Sequence, residues 1–551
     1  MRGSTASSAS FPPRKRARRA TVIRRSNELE PENFILPPFV LAKELVGYFF
    51  RYTYPLYPIL HEPTFREDFE ATYQDSSQPT AAWLSILNLV FAFGCDYLDM
   101  SLRDASELAE TFHDRASELI LSVCFQQSTV QIVQALFLLT AHLQSDLKMN
   151  KSWLSIGCLV RTAQGLRMNL DPSSRDISLV DQEIRKRLWW GIYSVDRFIS
   201  LRQGQSPALI SESACTVGVP LTSCEGMSEE DLSAFPELHQ TPCPIYLFNA
   251  MVQLSHMVES ISTPALKDSN SLVQMYTARS DGLLDFDEVQ MSIQIAQVGE
   301  QEAKLAAWKR TLPEHLQFEA IYEDEECRRQ CLMLHLRYLH IRLLVHRQVL
   351  SIVVRQGSRK VNMPPPGYLK SVITASVEQC AECASQTVSV ITGNQNARAI
   401  GPWWYNISLM FTALGTLFAV HASANLFPSI DVEAMAAAIS DASESLSQLS
   451  NVNPLMARCS RYFESLRRRM AKVASVQKAD YRKGNPLEIS VHTDSNVDTQ
   501  NGQEAQHGEV ELGVNAASVG SESGAGSLDE DWTRLFLEPM LPDFTDDIFD
   551  I

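Results

Sequence analysis

The sequence predicts an all-α protein, one large multi-helix domain flanked by a disordered basic N-terminus and a disordered acidic C-terminal tail. Two observations predict the helical body. Apolar residues recur at helical spacing from "FVLAKELVGYFFRYTYPLYPIL" to about Ser475, and alternating strand patterns are almost absent. A third observation predicts the flanks: the charge is polarised. Residues 1–27 carry eight Lys or Arg and no acid, whereas residues 529–551 carry eight acids and a single Arg534. A formal net charge of -17 therefore averages over two ends suited to different partners.

Taken in order, residues 1–33 form the basic segment, Ser/Ala-rich and then "PPRKRARRA". Residues 34–475 form the helical body. In "EIRKRLWWGIYSVDRFISL", Leu188, Ile192, Val195 and Ile199 make one apolar stripe. In "QCLMLHLRYLHIRLLVHRQVL", Leu332, Leu336, Leu339 and Leu343 make another. Pro and Gly interrupt the helices at "LDPSSRD" and "SRKVNMPPPGYLK". Residues 476–528 read as a linker: most of this stretch is Gly, Ser, Asn, Gln, Glu and Val, too polar to offset the entropy of ordering. Residues 529–551, "DEDWTRLFLEPMLPDFTDDIFDI", bring aromatics and leucines back among acids.

Several chemistries are expected to be absent. The 11 cysteines have no framework spacing; only Cys380 and Cys383 form a C-x-x-C, and a closed zinc tetrahedron needs a second pair or histidines. Cys327, Cys331 and His335 share a helical face, which reads as a stripe on a buried helix. Dispersed thiols fit a reducing compartment. The stretch Ala399–Phe427 holds no Lys, Arg, Asp or Glu, but its Asn, Ser, Thr and His residues read as a core helix and not a membrane span. Nucleotide-loop, nucleophile-elbow and H-E-x-x-H motifs are not found. No catalytic, cofactor-binding or metal residues are expected, and the protein is not expected to be an enzyme.

The body resembles a known family. "YFFRYTYPLYPILHEPTF", "AQGLRMNLD", "EIRKRLWWGIYSVDRFISLRQGQSPAL" and "VGVPL" are similar to the fungal-specific transcription factor domain, the helical regulatory region of fungal zinc-cluster activators. The positions that match are Ala163, Gly165, Leu166, Glu183, Arg185, Arg187, Trp189, Trp190, Tyr193, Asp196, Arg197, Ser200, Gly204 and Pro207. Of these, Trp189, Trp190, Tyr193, Asp196, Arg197, Gly204 and Pro207 are expected to be structural. Arg185 is placed to stack on Trp189, and Asp196 and Arg197 to pin the following loop. The spacing from Ala163 to Gly165 is one residue shorter than the family pattern, and Gln205-Ser206 stands where Arg often precedes Pro207.

The resemblance implies a nuclear transcription regulator, an activator of metabolic and in particular secondary-metabolite cluster genes in a fungus. The six-cysteine zinc cluster that the family places upstream has no counterpart here, since the first cysteine is Cys95. Zinc is thus expected only with a missing upstream exon. DNA is contacted directly in that case and otherwise through a partner, which makes a co-regulator without DNA contact the alternative. Arg14, Lys15, Arg16, Arg18 and Arg19 read as a nuclear localisation signal for an import receptor. Trp532, Leu535, Phe536, Leu537, Phe544, Ile548 and Phe549 read as an activation segment for a coactivator or the transcription machinery. No membrane partner is expected, and a homodimer is left open. A remote alternative, an all-α isoprenoid enzyme, would use the D-D-x-x-D of Asp546, Asp547 and Asp550. Catalytic magnesium needs rigidly held carboxylates at a deep cavity, which three residues at the end of a tail do not supply.

Overall fold

The computed structural model describes residues 36–74, 79–145, 148–202, 215–223, 233–240, 242–262, 286–358, 367–394, 400, 403–449, 457 and 460–468. Among them every regular element is helical, as the periodicity predicts. In chain order these are α1 (Phe39–Tyr48), α2 (Glu62–Gln74), α3 (Ala81–Cys95), α4 (Leu102–Val123), α5 (Val130–Ser145), α6 (Met149–Gly165) and α7 (Leu179–Arg202). Then follow α8 (Pro244–Ser262), α9 (Phe286–Arg310), α10 (Glu325–Ser358), α11 (Gly367–Gly393), α12 (Trp403–Ala422) and α13 (Val432–Leu449).

Local chemistry starts several of these helices. Thr80 accepts the Trp83 amide at 3.1 Å ahead of α3. Ser101 accepts the Asp104 amide at 3.1 Å and donates to its carboxylate at 2.7 Å, a reciprocal cap on α4. Ser178 and Asp181 repeat the device on α7, at 3.0 and 2.8 Å. Each cap satisfies an amide that has no partner within its helix. At the end of α6 the Met168 amide reaches the Ala163 carbonyl at 3.1 Å, and the Arg167 amide reaches Gln164 at 2.9 Å. This C-terminal motif places its third-from-last turn residue, Ala163, and the residue after the turn, Met168, together in the core. Arg167 takes the left-handed position (φ 54°) that glycine usually fills.

The helices assemble in two groups. α3 is buried on all sides except its first residue, and packs on α1, α4 and α5, with α6 against α5. α10 packs on α8, α9, α11 and α12, while α11, α12 and α13 close on one another. α7 and α8 join the groups: α7 lies on α5, α6 and α8, and α8 reaches α10. One continuous apolar core runs through both groups. The two stripes read from the sequence lie in it: Leu188, Ile192, Val195 and Ile199 are buried, as are Leu336, Leu339 and Leu343, with Leu332 packed at its margin.

The uncharged segment around α12 is a core helix. Leu409, Met410, Ala413, Leu414, Leu417 and Phe418 are buried against neighbouring helices, and Thr412 and Thr416 donate back to carbonyls one turn earlier. No helix among the described residues is long and apolar enough to cross a membrane.

α1 and α3 approach at backbone contact. A Cβ on Gly94 would lie 2.5 Å from the Leu45 carbonyl oxygen and 2.9 Å from its Cα. Backbone atoms inside a packed helix pair cannot swing aside as a side chain can. Gly94→Ala should therefore destabilise the protein by ~1–3 kcal/mol, read as a lowered urea midpoint with unchanged slope.

Candidate functional site

The residues that carry the family resemblance are brought together around α7. Glu183 and Arg187, one turn apart, are both fully buried, with Arg187 Nε 3.3 Å from Glu183 Oε1. Arg187 Nη2 lies 2.9 Å from Glu237 Oε1, and Nη1 donates to the Tyr54 hydroxyl at 3.2 Å. Glu183 Oε1 also accepts the backbone amide of Leu221 at 2.8 Å, and Lys186 sits 3.6 Å from its other oxygen. Burial works to lower the Arg187 pKa, but Tyr54, Glu183 and Glu237 outweigh it and hold the guanidinium above its ordinary value. Burial pushes the Tyr54 phenol well above its ordinary value, so it stays protonated. The result is a permanently charged arginine held by two carboxylates from different parts of the chain.

This knot explains why distant stretches of sequence belong to one pattern. Tyr54 comes from "YFFRYTYPLYPIL", Glu183 and Arg187 from "EIRKRLWW", and Leu221 follows "VGVP". The "VGVPL" stretch is tied down along its length. Trp190 Nε1 donates to the Gly218 carbonyl at 2.9 Å, and Asn249 donates to the Pro220 carbonyl at 3.1 Å. The Thr216 and Val217 amides both reach the Asn169 carbonyl, at 2.9 and 3.2 Å, just beyond the α6 cap.

Further along α7 the aromatic positions are packed. Trp189 is 1% exposed and Tyr193 is fully buried, its hydroxyl 3.1 Å from His256 Nδ1 on α8. Asp196 and Arg197 are fully buried and pair with each other at 3.0 Å, while the Arg197 guanidinium lies 4.0 Å from the Tyr193 ring centre. The stacking expected of Arg185 on Trp189 is not formed. The Trp189 ring sinks into the core, while Arg185 is partly buried, its Nε and Nη1 out of contact with solvent and its pKa lowered by burial and by nearby Arg175. The cation–π contacts on this helix fall instead on Tyr193, on Phe198 beneath Arg337 of α10 at 3.7 Å, and on Phe235, over which Arg187 lies at 5.9 Å. Gly204 and Pro207 lie outside the described residues. So do Arg14, Lys15, Arg16, Arg18 and Arg19, and, in the tail, Trp532, Leu535, Phe536, Leu537, Phe544, Ile548, Phe549 and the three aspartates Asp546, Asp547 and Asp550.

A second ionic tie joins α9 to α10. Arg342 grips Glu302 through two bonds, 2.9 and 3.2 Å, and His346 Nε2 is 3.0 Å from the same carboxylate. Burial works to raise the Glu302 pKa, but the bonds from His346 and Arg342 prevail and bring it to about 2. Sequence reasoning did not single out this triad, because Glu302 is 40 residues from Arg342 in the chain. The only signal was an acid on one predicted helix facing Arg and His on another.

The Cys327, Cys331 and His335 stripe packs on the turn before α10. Cys331 Sγ faces the Gln317 carbonyl at 3.4 Å, and His335 stacks on Phe318 with ring centres 4.6 Å apart. Burial raises the thiols to about 11 and about 12, and burial together with Lys309 lowers His335 to about 4. Protonated thiols are poor metal ligands. Among the described residues no group of three or more His, Cys, Asp or Glu side chains is arranged to hold a metal ion.

A polar cleft of about 270 Å³ opens beside the Arg187 knot. Tyr54 and Glu237 of the knot line its floor, with Arg51, Glu62 and Arg66 from the N-terminal segment and Glu326 and Gln330 from the start of α10.

Residues 46–318 match the family model described as "Fungal specific transcription factor domain", and this range contains every member of the Arg187 knot. They are a fungal-specific transcription factor domain. Relatives match over a longer stretch. The transcription factor FBD3 of Fusarium pseudograminearum is 24% identical over 80% of this chain and 58% of its own length. The sorbicillinoid biosynthetic cluster transcription factor 2 of Penicillium rubens is 25% identical over 71% of this chain and 56% of that protein. The sorbicillinoid biosynthetic cluster transcription factor sor3 of Hypocrea jecorina is 23% identical over 73% and 57%. The chain thus spans a little over half the length of these curated relatives. No solved structure matches it.

Two outcomes follow for the domain. Arg187→Met leaves Glu183 and Glu237 buried without their shared cation, and should cost ~3–5 kcal/mol, seen as a lower denaturation midpoint. The second concerns acid. His335 titrates near 4 when folded and near 6.5 when unfolded, so the unfolded chain takes up the proton first and stability falls as pH drops between those values. Glu302, about 2 when folded against 4.5, adds a loss that begins lower, as pH falls through 4.5 towards 2. His335→Phe, which keeps an aromatic ring against Phe318, should reduce the decline between about pH 6.5 and 4 and leave the part below about pH 4, in thermal melts across the acid range.

Proposed function

We propose that this protein is a nuclear transcription regulator, an activator of secondary-metabolite cluster genes in a fungus, and not an enzyme. The observation that carries the reading is the family match over residues 46–318, extended by relatives named as cluster transcription factors. The buried charges Glu183 and Arg187 of α7 are spent on one another and on a backbone amide, an arrangement compatible with a regulatory domain. In this reading the domain is a regulatory body, with an address at one end and an output at the other.

The address is the cluster Arg14, Lys15, Arg16, Arg18 and Arg19, whose density of cations without acids suits an import receptor. The output is the segment 529–551. Its acids keep Trp532, Phe536, Phe544 and Phe549 solvated until the groove of a coactivator accepts them. Promoter contact is made either directly or through a partner, and the family resemblance is compatible with both.

The tail is the part most readily tested. Residues 528–551 fused to an unrelated DNA-binding module should activate a reporter. Phe544→Ala with Phe549→Ala should abolish activation, whereas Asp546→Asn with Asp547→Asn should only weaken it. Loss with the Asn pair and full activity with the Ala pair would overturn the assignment.

A further inference from the structure

Two thiols meet between α4 and α6. Cys124 caps the end of α4, Cys158 stands within α6, and their sulfurs are close enough for one thiol to hydrogen-bond the other. Lys148, just ahead of α6, reaches Glu110 of α4 at 3.7 Å. These two contacts place α4 and α6 side by side and running the same way. The broad packing of each helix is elsewhere: α4 lies on α3 and α5, and α6 on α5 and α7.

The pair is open to solvent on one side. Cys158 is part-exposed and Cys124 lies buried beside it. Leu121 and Phe125, on either side of Cys124 in the chain, are exposed, as is Leu154 one turn before Cys158. A Cβ on Gly157 would meet nothing within 4 Å, so the flank of Cys158 is clear. Cys124 also sits where α4 gives way to a turn, and its backbone can shift as the sulfurs close to a bond of about 2 Å. Other neighbouring cysteines differ on both counts. Cys380 and Cys383 lie three apart within α11, Cys327 and Cys331 four apart within α10, and all four are buried. Side chains so spaced on one helix hold their Cβ atoms about 5–6 Å apart. A disulfide needs about 4 Å.

We propose that Cys124 and Cys158 form a site of reversible oxidative modification, at which a hydroperoxide converts the two thiols to a disulfide. With hydrogen peroxide, the Cys158 thiolate attacks one oxygen and the O–O bond breaks. Its sulfur becomes a sulfenic acid, and the second oxygen takes up the thiol proton and leaves as water. Cys124 then attacks that sulfur, the S–O bond breaks, and the departing hydroxide takes the Cys124 proton and leaves as a second water. Two thiols lose two electrons and two protons, and one peroxide becomes two waters. Burial, and then the Cys158 sulfur, hold the Cys124 thiol above its ordinary pKa, which suits it to the second step and not the first. A thiol reductant reverses the bond by exchange. The bond would close a loop containing α5 and tie α4 covalently to α6. The inference rests on this thiol pair alone and stands apart from the reading of the chain as a transcription regulator.

The experiment exposes the purified, fully reduced chain to hydrogen peroxide, blocks the remaining thiols by alkylation and maps all 11 cysteines by mass spectrometry. The expected result is a peptide pair joined through Cys124 and Cys158, lighter by two hydrogens than the reduced pair. It should form before any other cysteine is oxidised and disappear with dithiothreitol. This cross-link is read in the parent chain, without any substitution. Cys124→Ser should leave Cys158 as a sulfenic acid, caught as its dimedone adduct. Cys158→Ser should leave Cys124 an unmodified thiol under the same exposure. A bond from either residue to a different cysteine, or prior oxidation elsewhere in the chain, would overturn the proposal. So would a Cys158 carried on to sulfinic acid beside a free Cys124, or a pair left unoxidised by millimolar peroxide.

Discussion

The fold is organised by one charge that has nowhere else to go. Arg187 is fully buried at the point where the N-terminal helices meet α7, and Glu183, Glu237 and the Tyr54 hydroxyl surround it. A guanidinium cannot lose its proton in a protein, so burial is tolerable only where partners come to it. Because those partners are 4, 50 and 133 residues away, satisfying this one side chain fixes the relative placement of three segments. Apolar packing fills the same region, but packing tolerates sliding of one helix on another, whereas an ion pair at hydrogen-bond distance does not.

The second tie works by similar means in the C-terminal group. Glu302 accepts a two-point grip from Arg342 and a contact from His346, which sets the register of α9 along α10. Between these two knots the aromatic contacts of Trp190, Tyr193 and His256 fasten α7 to α8. The apolar core provides cohesion, and the polar contacts inside it choose among the ways such helices could pack.

What could be read from the sequence follows from this division. Periodicity located the helices, and the stripes on α7 and α10 face the core as read, because 3.6-residue spacing depends on local geometry alone. The motif residues Trp189, Trp190, Tyr193, Asp196 and Arg197 are all buried. Their individual partners were less legible. The bond of Asp196 to its own neighbour Arg197, and the failure of Arg185 to reach Trp189, depend on how deep each side chain sits, which spacing does not encode. Glu237 and Glu302 were invisible for a different reason: each is an ordinary acid in its local window and becomes significant only through a partner tens of residues away.

Helix α10 gives these observations a spatial side. It is a single helix of 34 residues, roughly 50 Å from end to end. Glu326 and Gln330 stand at its beginning, and Arg342 and His346 near its middle, some 24 Å further along. The backbone ladder of this helix spans the distance without interruption, so the recess and the Glu302 tie stand on one continuous element. One helix thus connects the polar recess at its start with the Glu302 tie and with α11 and α12 packed along it.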